Sequence, residues 1–549
     1  MSESLSTVDL IIIVLFIVFI IWWALRHSKT SDSASYFLAG KSCTWPMIGL
    51  SLFAASISSS TLIGHAGEGF ISGVAVFNYN LMAVFVMIFF AMFFLPFYIK
   101  SGIFTIPEYL GRRFDSRSRL YFSFITIIGN IFLDAAAALY TGALILKMMF
   151  PGIDLFYIIL GMAIVAGSYT IVGGLSSIIN ADVIQSIILI IGSIILSFFC
   201  FESIGGWDSF MEHFHEGVWL KLIRPLDDPT VPWPGLIFGV TILSFYFWGN
   251  NQVMVQRVLS ARSIDEGRKG VLFVGFLYMF TLFIIIMPGI IARGIDLFGL
   301  GNSLPYDVIP GSTLKSIYGI NTDEVYPRLI LKLLPTGIIG LIIAAMISAL
   351  TSTLSATLSS VSTLFTMDFY PRIVKNSNPQ KLVRVGQITS FIALVIAVSW
   401  APFIQKFDSL VGYYQEMVSY IAPPIVGAFL LGLFWKRGNA QGAFTGLMFG
   451  LTAAIGIMLT KYIIGISIPI HYLMLAPLLM LASMLVTVIV SYVTTPPLEE
   501  QVAPNTWNKY LWTEETKELK GVIWYKNFRV LCLILFILCV LEYLFFLSK

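Results

Sequence analysis

Charge is scarce in this chain. Only 11% of its 549 residues are Asp, Glu, Lys or Arg, against roughly 25% in ordinary soluble domains, so a surface facing water throughout is excluded. Cysteine is equally sparse. The four present, Cys43, Cys200, Cys532 and Cys539, are scattered, which argues against a disulfide framework and a thiolate metal site. With five histidines, no grouped nucleophile, base and orienter, no phosphate-cradling glycine loop and no His/Cys metal spacing, an enzymatic reading has no residues to carry it. No soluble domain fits between the apolar runs and none for signalling is appended, which disfavours a membrane sensor built on a transporter-like core. A cleavable leader is also missing. Met1-Ser-Glu-Ser-Leu-Ser-Thr-Val-Asp9 is acidic and no Ala-x-Ala site follows, so the first apolar run is expected to be retained.

What the chain has instead is hydrophobic length. It is 57% hydrophobic with a mean hydropathy of +0.87, and runs near the roughly 20 residues that cross a bilayer recur from 10–25 to 527–547. About fourteen such runs predict an all-α polytopic membrane protein in contact with the lipid bilayer. Basic loops (Arg26/Lys29/Lys41, Arg112/Arg113/Arg117/Arg119, Arg257/Arg262/Arg268/Lys269, Arg372/Lys375/Lys381/Arg384, Lys436/Arg437) all follow an odd number of spans. The positive-inside rule makes that side cytoplasmic and places both termini outside, in a plasma (inner) membrane protein. The net charge of +3 points to no nucleic acid, and no obligate protein partner is evident.

Two spans look built to break. Gly49-Leu-Ser-Leu-Phe-Ala-Ala-Ser-Ile-Ser-Ser-Ser-Thr-Leu-Ile-Gly64 is dense in hydroxyl and small residues, and Ser244-Phe-Tyr-Phe-Trp-Gly-Asn-Asn-Gln252 lies in a polar-centred span five crossings later. An odd offset gives opposite orientations, so residues 46–203 and 233–435 are read as two inverted five-helix repeats with broken first helices, the LeuT-type plan. Residues 1–45 form an extra N-terminal helix and loop, and 436–549 are scaffold helices. Ala422-Pro423-Pro424 is expected to break its helix.

Ala349, Ser352 and Thr353, spaced i, i+3, i+4, share a helix face. With carbonyls freed at Ala54 and Ile57 they would offer five oxygens to Na+, a hard cation; hydroxyls at this spacing equally serve close helix packing. Asp182 either caps a helix or, with Ser352 and Ser355, holds a second cation. Asp134 lies mid-span with no basic neighbour in sequence, where an acid costs at least ~2.5 kcal/mol and is by default functional; a buried hydrogen-bond role is the alternative. Tyr79, Asn80, Phe247, Trp248 and Gln415 could form a cavity for a small polar organic solute or simply pack. Gln256 and Arg257 read as anchors of their helix end.

Six motifs carry a family likeness: Tyr36-Phe-Leu-Ala-Gly-Lys41, Phe104-Thr-Ile-Pro-Glu-Tyr109, Gly173-Gly-Leu175 with Asp182-Val-Ile-Gln185, Gln252-Val-Met-Val-Gln-Arg257, Leu364-Phe-Thr-Met-Asp-Phe369 and Phe429-Leu-Leu-Gly-Leu-Phe-Trp-Lys-Arg437. On them the chain resembles the sodium/solute symporter family over almost its whole length, and within it the sodium/glucose cotransporter branch. The resemblance implies the inverted-repeat fold, Na+ as coupling ion and a shared Na+ site on Ala54, Ile57, Ala349, Ser352 and Thr353. It also implies a second site, known in some members, on Asp182, Ser352 and Ser355, with Ala356 where that site has a hydroxyl. The sugar positions fall on Ser56, Thr61, Asn80, Ser244, Tyr278 and Gln415, of which only Gln415 keeps the family residue. Asn80 replaces a Glu, Tyr278 a Lys and Phe247 a gate tyrosine; Trp248 is retained. The whole-chain likeness makes a sugar or polyol the first expectation; Asp134, standing where relatives have Asn, Lys or Arg, makes an amine-bearing solute, such as an amino sugar or amino acid, the second.

Overall fold

The computed structural model describes residues 6–28, 32–150, 152–214, 219–228, 231–295, 297–298, 311–374, 378–406, 410–466 and 470–547. Much of the acidic loop 296–324 and Lys375 lie outside the described residues. Among those described no strand forms, only isolated bridges pairing Cys43 with Ala261 and Arg224 with Pro232. Helices dominate because in hydrocarbon each backbone donor and acceptor must be satisfied within its own segment.

In chain order, α1 (Thr7–Arg26) precedes an interrupted pair, α2 (Trp45–Ser56) and α3 (Ser59–Ser72), then α4 (Ser116–Met148) and α5 (Leu155–Ser203). A second interrupted pair, α6 (Gly235–Asn250) and α7 (Gln252–Leu259), leads to α8 (Ile264–Met279), α9 (Leu282–Gly294) and α10 (Ile338–Leu364). α11 (Leu410–Phe434), α12 (Tyr472–Val493) and α13 (Phe528–Leu547) complete the set used below. Ten helices among the described residues are long and apolar enough to cross a membrane, or eleven if α8 and α9, bent by 42°, form one span. The fourteen expected are not reached among the described residues, where several segments are interrupted. α2 and α6 are too short to qualify alone. α5 has 49 residues, roughly 73 Å of helix at ~1.5 Å per residue, more than twice a ~30 Å hydrocarbon core. It folds at Gly174, whose φ of 59° and ψ of −160° leave the helical region.

Both expected breaks are present, and each is capped by a side chain from the break itself. α2 ends with the bond from Ile57 N to Phe53 O (2.9 Å), and Ile57 (ψ 76°) and Ser58 (ψ 169°) leave helical geometry. The Ser58 hydroxyl then accepts from Thr61 N (3.1 Å), while Thr61 Oγ1 donates back to Ser56 O (3.1 Å). In the second pair Asn251 is extended (ψ 124°) and its Oδ1 accepts from Val253 N (2.8 Å). Short polar side chains compete with helical backbone bonding in this way, which is why hydroxyls and amides concentrate at these two points.

The prolines of α11 do not break it: the helix runs from Leu410 to Phe434 with Pro423 and Pro424 inside. The lost backbone donors are tolerated in a packed bundle, and the Pro424 ring sits where a Cβ on Gly450 would be only 2.1 Å away, so a neighbouring helix without a side chain receives it. At the other end of the chain, Asp9 of α1 accepts from Gly337 N (2.8 Å) and Gly340 N (2.7 Å), capping α10 from a different helix. The N-terminal helix is thereby bolted onto the helix that carries the hydroxyl face.

Gly174 combines a positive φ with a crowded site, since an added Cβ would lie 2.6 Å from Tyr36 O. Gly174→Ala is expected to cost about 2 kcal/mol or more, seen as a lower unfolding temperature of purified protein, whereas Gly129→Ala, with nothing within 4 Å, leaves it unchanged or higher. Equal behaviour of the two would rule out the fold at Gly174.

Candidate functional site

The deepest polar feature is an ion pair. Arg257 of α7 and Asp182 of α5 approach to 3.0 Å with side chains 1% and 0% exposed. Ser51 of α2 donates to Asp182 Oδ2 (2.5 Å) and accepts from Arg257 Nε (2.8 Å), and Ser352 of α10 donates to Asp182 Oδ1 (2.6 Å). Four helices, including one half of each broken pair, thus converge on one carboxylate. Buried charges are tolerated only when paired and fully hydrogen-bonded, and here both conditions hold. The sequence reading of Arg257 as an anchor understated it, because the distant partner is invisible in local sequence.

Around this pair, other family-like motifs meet on the side of the basic loops. Gln256 Nε2 donates to Phe37 O (2.7 Å) and Thr363 Oγ1 (2.8 Å), and Gln252 Oε1 accepts from Ile106 N (2.8 Å). Asp368 accepts from Thr105 (2.9 Å), Arg119 (2.5 Å) and Ser123. Arg113 donates to the carbonyls of Gly432 (2.8 Å), Trp435 (2.9 Å) and Gly438 (3.0 Å).

At the first break the hydroxyl face of α10 lies against α2. Thr353 Oγ1 donates to Ala349 O (3.0 Å) and lies 3.4 Å from Ala55 O. The last carbonyls of a helix lack intrahelical donors, so the end of α2 at Ala54 and Ile57 offers carbonyl oxygens of the kind a hard cation takes, and Thr353 stands beside that end at Ala55. Ser352, grouped with them on sequence, turns its hydroxyl toward Asp182 instead. Ser355 donates to Tyr169 OH (2.8 Å), not to Asp182, so the residues of the second expected cation site are engaged with Arg257 and Tyr169.

Beside the break is a cavity of about 130 Å³. Of the sequence-derived solute residues, Ser56, Thr61, Asp134, Phe247 and Gln415 line it, and so does Thr353. Asp134 is approached by the Tyr414 hydroxyl and, with the Asn130 amide turned to donate, by Nδ2 at 3.1 Å. No Lys or Arg lines the cavity among the described residues.

The other expected solute residues do not line the cavity. Trp248 meets Phe247 edge-on (5.4 Å between ring centres) and Tyr278 (5.2 Å), and Tyr278 also meets Phe53 (6.3 Å), making an aromatic stack that backs the Phe247 ring. Asn80 donates to Thr281 Oγ1 (2.6 Å), Tyr79 pairs with Tyr472 (3.3 Å between hydroxyls), and Ser244 is buried outside the lining.

His65 is the residue the sequence reading missed. It lines the cavity, and its Nδ1 is buried without a hydrogen-bond partner. It stands one residue beyond the hydroxyl-rich stretch, and the available signal was an ionisable side chain inside a spanning segment. Tyr414, adjacent to Gln415, also lines the cavity and was not singled out.

Comparison with known proteins agrees in kind. The model of the sodium:solute symporter family matches residues 36–450. Sodium/glucose cotransporter 1 of Oryctolagus cuniculus is 32% identical over 513 residues, covering 86% of this chain and 76% of that protein. Sodium/glucose cotransporter 4 of Danio rerio is 33% identical over 555 residues, covering 94% and 82%. The fold is shared with a Na+-coupled sialic acid symporter solved in a substrate-bound outward-open state, at a TM-score of 0.77 and 23% identity, covering 89% of this chain and 99% of that one.

Removing one partner of a buried ion pair leaves an uncompensated charge, which costs about 3–5 kcal/mol. Asp182→Asn and Arg257→Gln are each expected to lower the unfolding temperature sharply, and the double variant to lose less than the two losses combined. Strict additivity in that double-mutant cycle would show that the pair is not coupled.

Proposed function

The chain belongs to the sodium:solute symporter family, and from that premise we propose that it imports a small sugar or polyol together with Na+ by alternating access. Na+ as coupling ion, transport in place of enzymatic catalysis and a multi-pass membrane setting follow from the family. The observation that carries the solute reading is the cavity at the helix break, where hydroxyls (Ser56, Thr61), an amide (Gln415), an imidazole (His65) and one carboxylate (Asp134) face a common space beside an aromatic ring (Phe247). Such groups match vicinal hydroxyls and one apolar sugar face. Tyr79, Asn80, Ser244, Trp248 and Tyr278 act from behind by holding that wall.

We assign Na+ to the oxygens of Ala54, Ile57, Ala349 and Thr353, with Ser352 at the edge of the set. Asp182 and Ser355 serve as tethers, since Arg257 already supplies the positive charge that a second Na+ would bring. Residues 46–203 and 233–435 are the inverted repeats, in a plasma (inner) membrane with the basic loops inside and both termini outside. One Na+ falling through ~100 mV supplies ~2.3 kcal/mol, enough for more than tenfold accumulation at ~1.4 kcal/mol per decade.

Asp134 favours a second reading. As the one acid lining a cavity without a cation, it would also pair with an amine-bearing solute such as an amino sugar or amino acid. Uptake of labelled sugars, polyols and amino acids into proteoliposomes, driven by an inward Na+ gradient or with K+ in its place, separates the readings. A polyol reading expects Na+-dependent accumulation of neutral solutes, with Asp134→Asn losing about 10-fold or more, as for a hydrogen bond to a charged group. Under the amine reading cationic solutes compete best and Asp134→Asn abolishes that competition. Accumulation unaffected by Na+ overturns coupling altogether.

Thr353→Ala is expected to raise the Na+ concentration for half-maximal uptake about 10-fold while leaving the unfolding temperature within a degree or two, as a hydroxyl of ~1 kcal/mol in the folded state allows. His65→Leu is expected to raise the solute KM without moving the Na+ response. A wild-type Na+ response in Thr353→Ala sinks the ion assignment, and an unchanged KM in His65→Leu removes that residue from the solute site.

A further inference from the structure

A second concavity, of about 480 Å³, opens at the edge of the bundle between the start of α2, α8 and α13. One end carries Lys269 and Lys526 with Trp45 and Tyr525; beyond them the wall is wholly apolar, formed by residues such as Phe276, Leu535 and Leu538. Phe276 is 42% exposed, so the wall faces outward and not into the bundle.

The polar end is net cationic. Lys526 has no carboxylate partner among the described residues, and its Nζ lies 6.0 Å from the Tyr525 ring centre. Lys269 bonds Asp265 (2.6 Å), itself half exposed. Nearby Arg268 and Arg529 share Glu515 (2.6 and 2.8 Å) and stack on Phe528 and Trp512. Glu266 adds a third carboxylate beside Trp45 and is paired with Arg262 (2.6 Å), so five cations face three carboxylates at this rim. Trp and Tyr at such a junction mark the depth of lipid headgroups.

We propose that this groove binds an anionic phospholipid of the leaflet facing the basic loops, its phosphate between Lys269 and Lys526 and an acyl chain along Phe276, Leu535 and Leu538. Charge complementarity selects the anionic class, because a zwitterionic headgroup brings its own cation to a rim already in cationic excess. The apolar wall selects lipid over a soluble anion. The site also abuts the transport machinery. Trp45 N, at the first residue of α2, donates to Glu266 (2.6 Å), and the Trp45 ring meets Phe273 edge-on (5.1 Å), so a bound lipid ties scaffold helix α13 to the start of the broken helix.

The test uses the full-length protein, delipidated in detergent and titrated with phosphatidylglycerol, phosphatidylcholine or inorganic phosphate, followed by native mass spectrometry and thermal unfolding. Phosphatidylglycerol is expected to be retained and to raise the unfolding temperature, with phosphatidylcholine about 30-fold weaker, given that each of the two lysines near a membrane surface is worth about 1 kcal/mol. Lys269→Gln/Lys526→Gln is expected to erase the preference, whereas Lys436→Gln, an exposed lysine of another basic loop, keeps it. If the double variant does not fold, Lys526→Gln alone, which strands no carboxylate, is expected to lose about fivefold. Equal retention of the two lipids by the wild type, a preference that survives the lysine substitutions, or equal stabilisation by inorganic phosphate overturns the proposal.

Discussion

The Arg257–Asp182 pair is the contact on which the rest depends. A broken helix in hydrocarbon is costly unless other groups satisfy and hold it, and this chain breaks two. Asp182 receives Ser51 from α2, Arg257 from α7 and Ser352 from α10, so one carboxylate fixes one half of each broken helix against the hydroxyl-bearing helix. An ion pair so deep adds little net stability over an apolar replacement, but it penalises any arrangement that separates its members. It therefore specifies register, and register is what a site made of displaced backbone oxygens requires.

The breaks themselves were legible. Ser and Thr in a dense run, and Asn-Asn after Gly, are groups that divert backbone bonding, and Ser58 and Asn251 do so as N-caps. Helix type and the hydroxyl face of α10 were legible for the same local reasons. Partners brought from far along the chain were not. Asp182 could be read as a cap because its cation lies 75 positions away in sequence, and Ser352 was grouped with Thr353 although adjacent helix positions differ by about 100° in direction. The proline pair misled in the opposite sense, because the glycine that accommodates it, Gly450, sits on another helix. Tyr278 and Trp248 show the same limit, since spacing names the helix but not whether an aromatic faces the cavity or backs it.

The six family-like motifs acquire a physical meaning in the structure. Phe37, Thr105, Gln252, Gln256 and Asp368 bond to one another or to the helices between them on the basic side, and Arg113 holds the carbonyls at the end of α11. Asp182 and Gln185, the latter bonded to Thr351 (3.1 Å), belong to the same polar layer. These motifs contribute little to the cavity lining, so they mark the family while leaving the solute open.

On the proposed assignment, the cavity and the cation oxygens are one mechanical unit. Thr61 lines the cavity, but its hydroxyl also donates to Ser56 O and lies 3.0 Å from Ser58 Oγ, so it helps to hold the break. Thr353 lines the cavity too, and touches Ala55 O on the other strand of that break. On the proposed assignment, a solute that engages Thr61 and a Na+ that engages Thr353 act on opposite sides of the same few backbone atoms. Coupling between two ligands requires only that each changes the free energy of a state the other prefers. With a two-residue break between them, no long relay is needed, and on this assignment the hydroxyls that let the helix open are the same ones that make its opening depend on ion and solute together.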